Sequence, residues 1–349
     1  MKNLSWFNKL MFFLNLVLTI STFVAYALPF LAPKAFPLLS VLTLFMPLFF
    51  VLNGLFFAYW AFQFKKRMIL SGLVLLMGIT FINKFYKFSN KEYVPADKDF
   101  IVMSYNVRLF NVFKWLDRDD VPDTILDFIN DKNPDILCIQ EFSNSADIDL
   151  KVYRHRYIFM DGKQIKTGQA IFSKFPIIDQ GHIVFPNSNN NVVFADIKKG
   201  KDIIRVYNMH LQSIKISPDV DEINENIDAI NQGGKSQKLL SRISKAFMQQ
   251  QQQAEIFKEH KKNCTYPIII CGDMNNSAFS YVYRNIKGKL NDSFEEAGKG
   301  FGATYKFRYY PARIDYIFAD NTMKVKRFES FSDFENSDHY PIMATFSME

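Results

Sequence analysis

Pro267 to Asn276 reads P-I-I-I-C-G-D-M-N-N. Ile268 to Cys271 is a short apolar run rich in β-branching, too short for a helix, and predicts a buried strand. Gly272 lets the backbone turn sharply, so Asp273, Asn275 and Asn276 emerge at the strand's carboxyl end, where layered α/β folds build their sites. One acid and two amides together suit a hard cation or a phosphate oxygen. By itself the stretch reads more readily as a polar turn, since Gly, Asp and Asn are the usual turn residues.

Its company decides the matter. Strands are predicted over Asp99–Tyr105, Asp135–Gln140, Gln169–Ser173, Asn191–Asp196, Asp202–Asn208, Arg313–Phe318, Lys324–Phe331 and Pro341–Phe346. Helices are predicted over Val121–Lys132, stopped by Asn133-Pro134, and near Tyr281–Ile286. Asp219–Lys262 reads as two helices around a Gly233-Gly234 break, with the glutamine run Gln249–Gln253 on a solvated face. Short strands interleaved with a few helices predict an α/β fold, a two-sheet sandwich flanked by helices. Polar residues recur just past these strands: Asn106, Glu141, His210, Asp273 and Asn275, with Asp338-His339 just before the last. Asp315 sits inside the apolar R-I-D-Y-I-F, where an acid is costly without a partner. An aspartate paired with a histidine is the usual means of orienting an imidazole.

The N-terminal quarter is of another kind. Leu10–Leu31 and Phe36–Phe64 are uncharged except for the Lys34 that separates them, and each is long enough to cross a bilayer. Trp60 and Tyr59 stand near the end of the second run, where interfacial aromatics sit. After Lys65-Lys66-Arg67, residues 68–86 predict a third, shorter span, with a re-entrant or interfacial segment as the alternative. The expected organisation is therefore a transmembrane region over 1–88 (spans about 10–31, 36–64 and 68–86), a linker over 89–98 and a soluble domain over 99–349. The run is too long for a cleaved signal and a second follows it directly. Positive charge flanking the spans places the N-terminus and the Lys65 loop in the cytoplasm, so three crossings leave the domain outside, in a periplasm where there is one.

Charge divides along the same boundary. Of 42 Lys/Arg and 35 Asp/Glu, nine basic residues and one acid lie within residues 1–94, leaving 33 and 34 for the rest. The basicity belongs to the anchor, and the soluble part has no global attraction for a polyanion. Cys138, Cys264 and Cys271 include no C-x-x-C pair, which removes support for zinc or thiol redox chemistry.

Seven motifs then align in one order: S-Y-N-V-R (Ser104–Arg108), I-Q-E (Ile139–Glu141), G-Q-A-I-F-S-K-F-P-I (Gly168–Ile177), Y-N-M-H-L (Tyr207–Leu211), G-D-M-N (Gly272–Asn275), R-I-D-Y-I (Arg313–Ile317) and S-D-H-Y-P-I (Ser337–Ile342). Together they resemble the endonuclease/exonuclease/phosphatase superfamily with its deoxyribonuclease-I-like fold, over about residues 99–349. The resemblance implies a hydrolase of phosphoester bonds that uses Mg²⁺ or Mn²⁺. Glu141 would be the principal metal ligand, with Asn106 and Asp338 completing or neighbouring that shell. His339, held by Asp315, matches the residue that activates water, a task some family mechanisms give to Asp273. Asn275 would position the nucleophile or a phosphate oxygen, and His210 would bind phosphate or protonate the leaving oxygen. Arg108, Asn208 and Asn276 are candidate substrate contacts; Arg108 meets either a phosphate or a carboxylate. Lys163, Lys166 and Lys174 read as solvated loop charges. Substrates in view are a lipid headgroup, a small phosphodiester or nucleic acid, with the lipid bilayer engaged through the N-terminal helices. A catalytically silent binding module is the remaining alternative.

Overall fold

The structure is a computed structural model that describes residues 5–88, 93–146, 148, 150–162, 166–214 and 235–348. Lys163 and the stretch 219–234, with its Gly233-Gly234 break, lie outside the described residues. The chain divides into two compact units: Met1–Phe85 with Ser213–Gln252 and Asn276–Arg284, and Tyr86–Gln212 with Gln253–Asn275 and Asn285–Glu349.

In the first unit, α1 (Trp6–Ala27) starts at Ser5, whose hydroxyl accepts from Asn8 N. It is followed by α2 (Met46–Phe62), α3 (Met68–Met77) and α4 (Ile79–Phe85). Trp6–Phe30 and Pro37–Phe62 are long and apolar enough to cross a membrane, and α3 with α4 makes a third candidate bent by 64°. Hydrogen bonds run along α1 like rungs. Asn8 meets Tyr59 and Gln63 at one end. Asn15 Nδ2 donates to Ser71 Oγ at 2.7 Å and its Oδ1 accepts from Trp60 Nε1 at 3.2 Å. Thr22 Oγ1 accepts from Asn53 Nδ2 at 3.0 Å, and Tyr26 donates to the Val74 carbonyl at 2.9 Å. Polar pairs of this kind hold apolar helices together where no water competes. Trp60 is therefore a buried strut and not the outward-facing interfacial aromatic expected from its position near the end of the run.

At the far end of α1, Ala25, Tyr26, Met46, Phe50, Phe81 and Phe85 cluster around Phe279. The first half of α6 (Lys235–Lys262) packs Ile243 and Phe247 on Val41. The glutamines here are not on a solvated face: Gln250, Gln251 and Gln253 are buried. Burial is tolerated because each amide is used. Gln250 Oε1 accepts from Asn276, Gln251 Oε1 accepts from Lys34 N, and, in the second unit, Gln253 Oε1 accepts from Gln212 N.

The second unit is two mixed sheets flanked by helices. One sheet has the order β11 (Met323–Ser330), β12 (Ile342–Met348), β1 (Asp99–Asn106), β2 (Ile136–Phe142), β4 (Thr167–Ser173), β3 (His155–Asp161). The other runs β5 (Ile177–Val184), β6 (Asn191–Lys199), β7 (Asp202–His210), β8 (Ile268–Asp273), β10 (Asp315–Ala319), β9 (Asn291–Asp292). β3 and β5 were not legible from the sequence. Both are edge strands of their sheets with a partly exposed, irregular pattern. Each sheet has one parallel pair at its centre, β1 with β2 and β7 with β8. Alternation sorts the side chains: Phe100, Val102, Ile136, Cys138, Ile269 and Cys271 fill the space between the sheets. Met103, Tyr105, Leu137 and Ile139 face α5 (Val121–Lys132) on the outside. α5 ends at Asn133 in the left-handed conformation, ahead of Pro134. Because both parallel pairs end at the same edge, Asn106, Glu141, His210 and Asp273 arrive there together.

Candidate active site

Register brings the two sheets' polar ends into one cluster. In the second sheet His210 and Asp273 are paired across β7 and β8, and Asp315 is paired with Asp273 across β10 and β8. Gly272 has φ +132, and a Cβ there would collide with the Met209 carbonyl, so only glycine lets β8 pass β7 at this point. Asp273 is the hub. Its Oδ1 accepts from Asn275 N at 2.7 Å, and its Oδ2 accepts from Asn275 Nδ2 at 3.1 Å and Asn106 Nδ2 at 3.2 Å. His210 Nε2 and His339 Nε2 both stand 3.6 Å from that same Oδ2.

His339 is oriented from behind. Its Nδ1 lies 3.2 and 3.0 Å from the two oxygens of Asp315. Thr304 Oγ1 fixes that segment by accepting from the N–H groups of Ile314 and Asp315, and Tyr305 sets its ring edge against the imidazole. On the first sheet, Glu141 takes φ +52, a left-handed conformation that turns its carboxylate off the strand line. Glu141 Oε1 accepts from Asn106 Nδ2 at 3.2 Å and lies 3.8 Å from His210 Nε2. Arg108 pairs with Asp338 at 3.2 Å and lays its guanidinium over Trp115 at 4.3 Å.

Electrostatics separates the carboxylates by access. Burial pushes Asp273 up to about 6, with Asp315 adding to the rise and the two imidazoles opposing it. For His339, burial works against protonation, but the carboxylates of Asp315 and Asp273 outweigh it and raise the imidazole well above its ordinary value. Ligand atoms of Asp273, Asp315 and His339 lie within 4.8 Å of one another, as a metal site requires. Both oxygens of Asp315, however, already face His339 Nδ1, so that carboxylate is engaged in orienting the imidazole. The accessible acids are Glu141 and Asp338, whose side chains are 28 and 22% exposed. They bear the oxygen donors that suit a hard divalent ion; Asn106 turns its Nδ2 to Glu141 and its Oδ1 accepts from Arg108 N at 3.1 Å. Four carboxylates set against one guanidinium and two imidazoles would repel a phosphate, so a bound cation fits the charge of the site as well as its donors.

Nine of the eleven residues singled out from the sequence thus stand in this cluster or touch a member of it. Asn208 stands apart in kind: fully buried between the sheets, it donates to the Ile139 and Ala170 carbonyls and accepts from Gln140 Nε2 at 2.6 Å. Asn276 belongs to the other unit, buried and donating to Gln250 Oε1. Of the loop lysines, Lys174 donates to the Asn133 carbonyl and pairs with Asp135. Trp115 was missed; an aromatic a few residues past the N-V-R motif was its only signal.

Residues 103–339 match the profile of the Endonuclease/Exonuclease/phosphatase family, and residues 8–85 match a profile described as a domain of unknown function, DUF8431. No curated protein matches the chain. Among solved structures, TDP2 from D. rerio complexed with single strand DNA product is 18% identical, with a TM-score of 0.53 over 72% of this chain and 100% of that one. An endonuclease/exonuclease/phosphatase family protein from Bacteroides thetaiotaomicron is 18% identical (TM-score 0.51, 74% of this chain, 100% of that one). The human Nocturnin catalytic domain with bound sulfate anion is 16% identical (TM-score 0.52, 74% and 97%). At such identities the likeness is one of fold. The profile match, which spans more than half the chain, carries the classification: this chain belongs to the endonuclease/exonuclease/phosphatase family.

Proposed function

We propose that the chain is a membrane-anchored, divalent-metal-dependent phosphoesterase, with residues 1–88 as anchor, 89–98 as linker and 99–349 as catalytic domain. The observation that carries this reading is the convergence of Asn106, Glu141, His210, Asp273, Asn275, Asp315 and His339 at one edge of a family fold. Glu141, Asn106 and Asp338 would hold the metal, Mg²⁺ or Mn²⁺. Such an ion would supply positive charge against the negative charge that develops on the phosphoryl group. The protein's own groups do the rest. Asp273, raised toward neutrality and clamped by Asn275, is placed to accept the proton of the attacking water. His339, kept cationic by Asp315, donates to a phosphate oxygen. His210, within reach of Asp273 and Glu141, is placed to protonate the departing oxygen. Arg108 contacts the phosphate by exchanging Asp338 for it.

The rungs along α1 support three crossings. α3 begins beside Phe12, where Arg67 lies over that ring, and reaches Tyr26 by Val74, so it ascends in parallel with α1. The chain then leaves the bilayer opposite its N-terminus, which by the charge rule is the extracytoplasmic side of the cytoplasmic membrane.

For substrate, the even charge of the soluble part and the tether favour a small or lipid-linked phosphodiester. Nucleic acid is the rival, on the strength of a neighbour that holds a single strand DNA product. The test is turnover by the full chain in nanodiscs, with Mg²⁺, of plasmid DNA, RNA, sphingomyelin and bis-p-nitrophenyl phosphate across a salt series. Release of headgroup or nitrophenol, abolished by EDTA, is expected; fast, salt-sensitive nicking of plasmid with no headgroup release would replace the reading with a nuclease.

A further inference from the structure

Beside the catalytic cluster, Arg108, Leu109, Phe110 and Asn111 have φ of 45, 56, 52 and 60, four left-handed residues in succession. Such residues cost about 1–2 kcal/mol each outside glycine, and a run of them persists only where the surroundings impose it. Here the turn sends Leu109 and Phe110 into the core, Phe110 edge-on to Phe142, while Arg108 swings out to Asp338. Asn111 then fixes the loop that follows. Its Oδ1 accepts from Leu116 N at 2.9 Å, and its Nδ2 donates to the carbonyls of Leu116 and Arg118 at 3.0 and 2.9 Å.

What this rigid loop presents is apolar. Val112 and Phe113 are 40 and 39% exposed, and Phe113 lies 5.6 Å from Trp115, ring to ring. Trp115 carries the Arg108 guanidinium on its face, and its Nε1 is buried with no acceptor among the described residues. Contacts therefore run unbroken from Asp338 through Arg108 and Trp115 to Phe113.

We propose that Val112, Phe113 and Trp115 form a substrate subsite that takes the apolar portion of an amphiphilic phosphodiester whose phosphate sits at Arg108. This rests on the phosphoesterase reading above and gives it a substrate class. An alkyl chain is favoured over a nucleobase for two reasons. The indole face is already covered by Arg108, and the residues beside it offer no hydrogen-bonding edge: Val112 and Phe113 have none, and Lys114 is paired with Asp119. A nucleic acid would also meet no excess of positive charge in the soluble part.

The test uses the full chain in nanodiscs, with Mg²⁺ and with empty nanodiscs as control. Binding of methyl phosphate and hexyl phosphate is measured by titration calorimetry, and turnover of methyl and hexyl p-nitrophenyl phosphate is measured alongside. Hexyl compounds should be favoured about tenfold, the worth of roughly two fully buried methylenes. The surface variant V112S/F113S should bring that hexyl-to-methyl ratio to about one, the methyl compounds serving as the reference within each protein. An unchanged ratio in the variant, or none in the wild type, overturns the subsite. Thymidine 5′-phosphate preferred over hexyl phosphate, with that preference lost in the variant, overturns it in favour of a nucleobase. Chain-length preference in binding with no turnover of either ester leaves the subsite standing and removes the catalytic reading.

Discussion

Asn208→Ala separates two accounts of one residue. From its place two residues before His210, Asn208 is a candidate substrate contact; in the structure it bolts the sheets together. It is fully buried and makes three hydrogen bonds: to Ile139 O at 2.8 Å and Ala170 O at 3.0 Å, and from Gln140 Nε2 at 2.6 Å. Gln140 Nε2 keeps Ser104 Oγ at 3.0 Å but loses its second acceptor. Three bonds at about 1 kcal/mol net each, with a further ~1 kcal/mol for the stranded donor, predict a loss of about 4 kcal/mol. For a domain of this size each kcal/mol is worth roughly 2–4 °C, so the melting temperature should fall by about 8–16 °C. Asn208→Leu, which keeps the volume but not the bonds, should fall nearly as far. Thermal unfolding of the detergent-solubilised chain, followed by near-UV circular dichroism, reads this directly. KM for a small phosphodiester at 15 °C should not move. A melting temperature within 2 °C of wild type, together with a tenfold rise in KM, would refute the strut and return Asn208 to the substrate.

Glu141→Gln should remove most activity, roughly a hundredfold or more by analogy with other charge-stabilising groups, with little rescue by excess Mg²⁺; activity in EDTA equal to that in Mg²⁺ would end the metal proposal. Asp315→Asn and His339→Ala should be non-additive, because Asp315 acts through His339; losses that multiply in the double variant would show independent roles. Burial, with Lys258 adding to it, lowers Lys261 from 10.5 to about 8. The unfolded chain then binds more protons between those values, so stability should rise as pH climbs from about 8 to 10.5, and Lys261→Met should abolish that rise, while losing the bond from Lys261 Nζ to the Ile286 carbonyl; a parallel pH profile in the variant would count against it. Protease added outside the cytoplasmic membrane should digest the catalytic domain while sparing a cytoplasmic marker, and a domain protected until that membrane is lysed would reverse the topology.

Where the sequence was readable, a local rule and the tertiary requirement agreed. Ile268–Cys271 could only be a buried strand, and Gly272 could only be glycine because β8 runs against the Met209 carbonyl. The strand-end acids, amides and histidines were legible for the same reason: charge beside a core strand needs a purpose. What failed depended on partners far off in the chain. Nothing local says that Gln251 will accept from Lys34 N or that Trp60 will donate to Asn15, so a polar run read as solvated and an end-of-span aromatic read as interfacial. β3 and β5 escaped because each lies at the edge of its sheet, where burial is partial and the mixed pattern resembles a loop.

The same contrast bears on how the two carboxylates nearest His210 divide their tasks. Sequence alone left the proton acceptor open between His339 and Asp273. Geometry weighs the two unequally. The carboxylates of Asp315 at 3.0 Å and Asp273 at 3.6 Å favour the charged form of the His339 imidazole, which on the proposed mechanism gives a proton and does not take one. Asp273, in turn, is buried deeply enough to be raised to about 6, near the pH at which a general base works best, while Glu141 remains exposed to solvent and to ions. On the proposed mechanism, access alone would give these two carboxylates on facing sheets, one dry and one wet, different tasks. Moving the acid from β8 to β2 would lose that difference even though the residue types were unchanged.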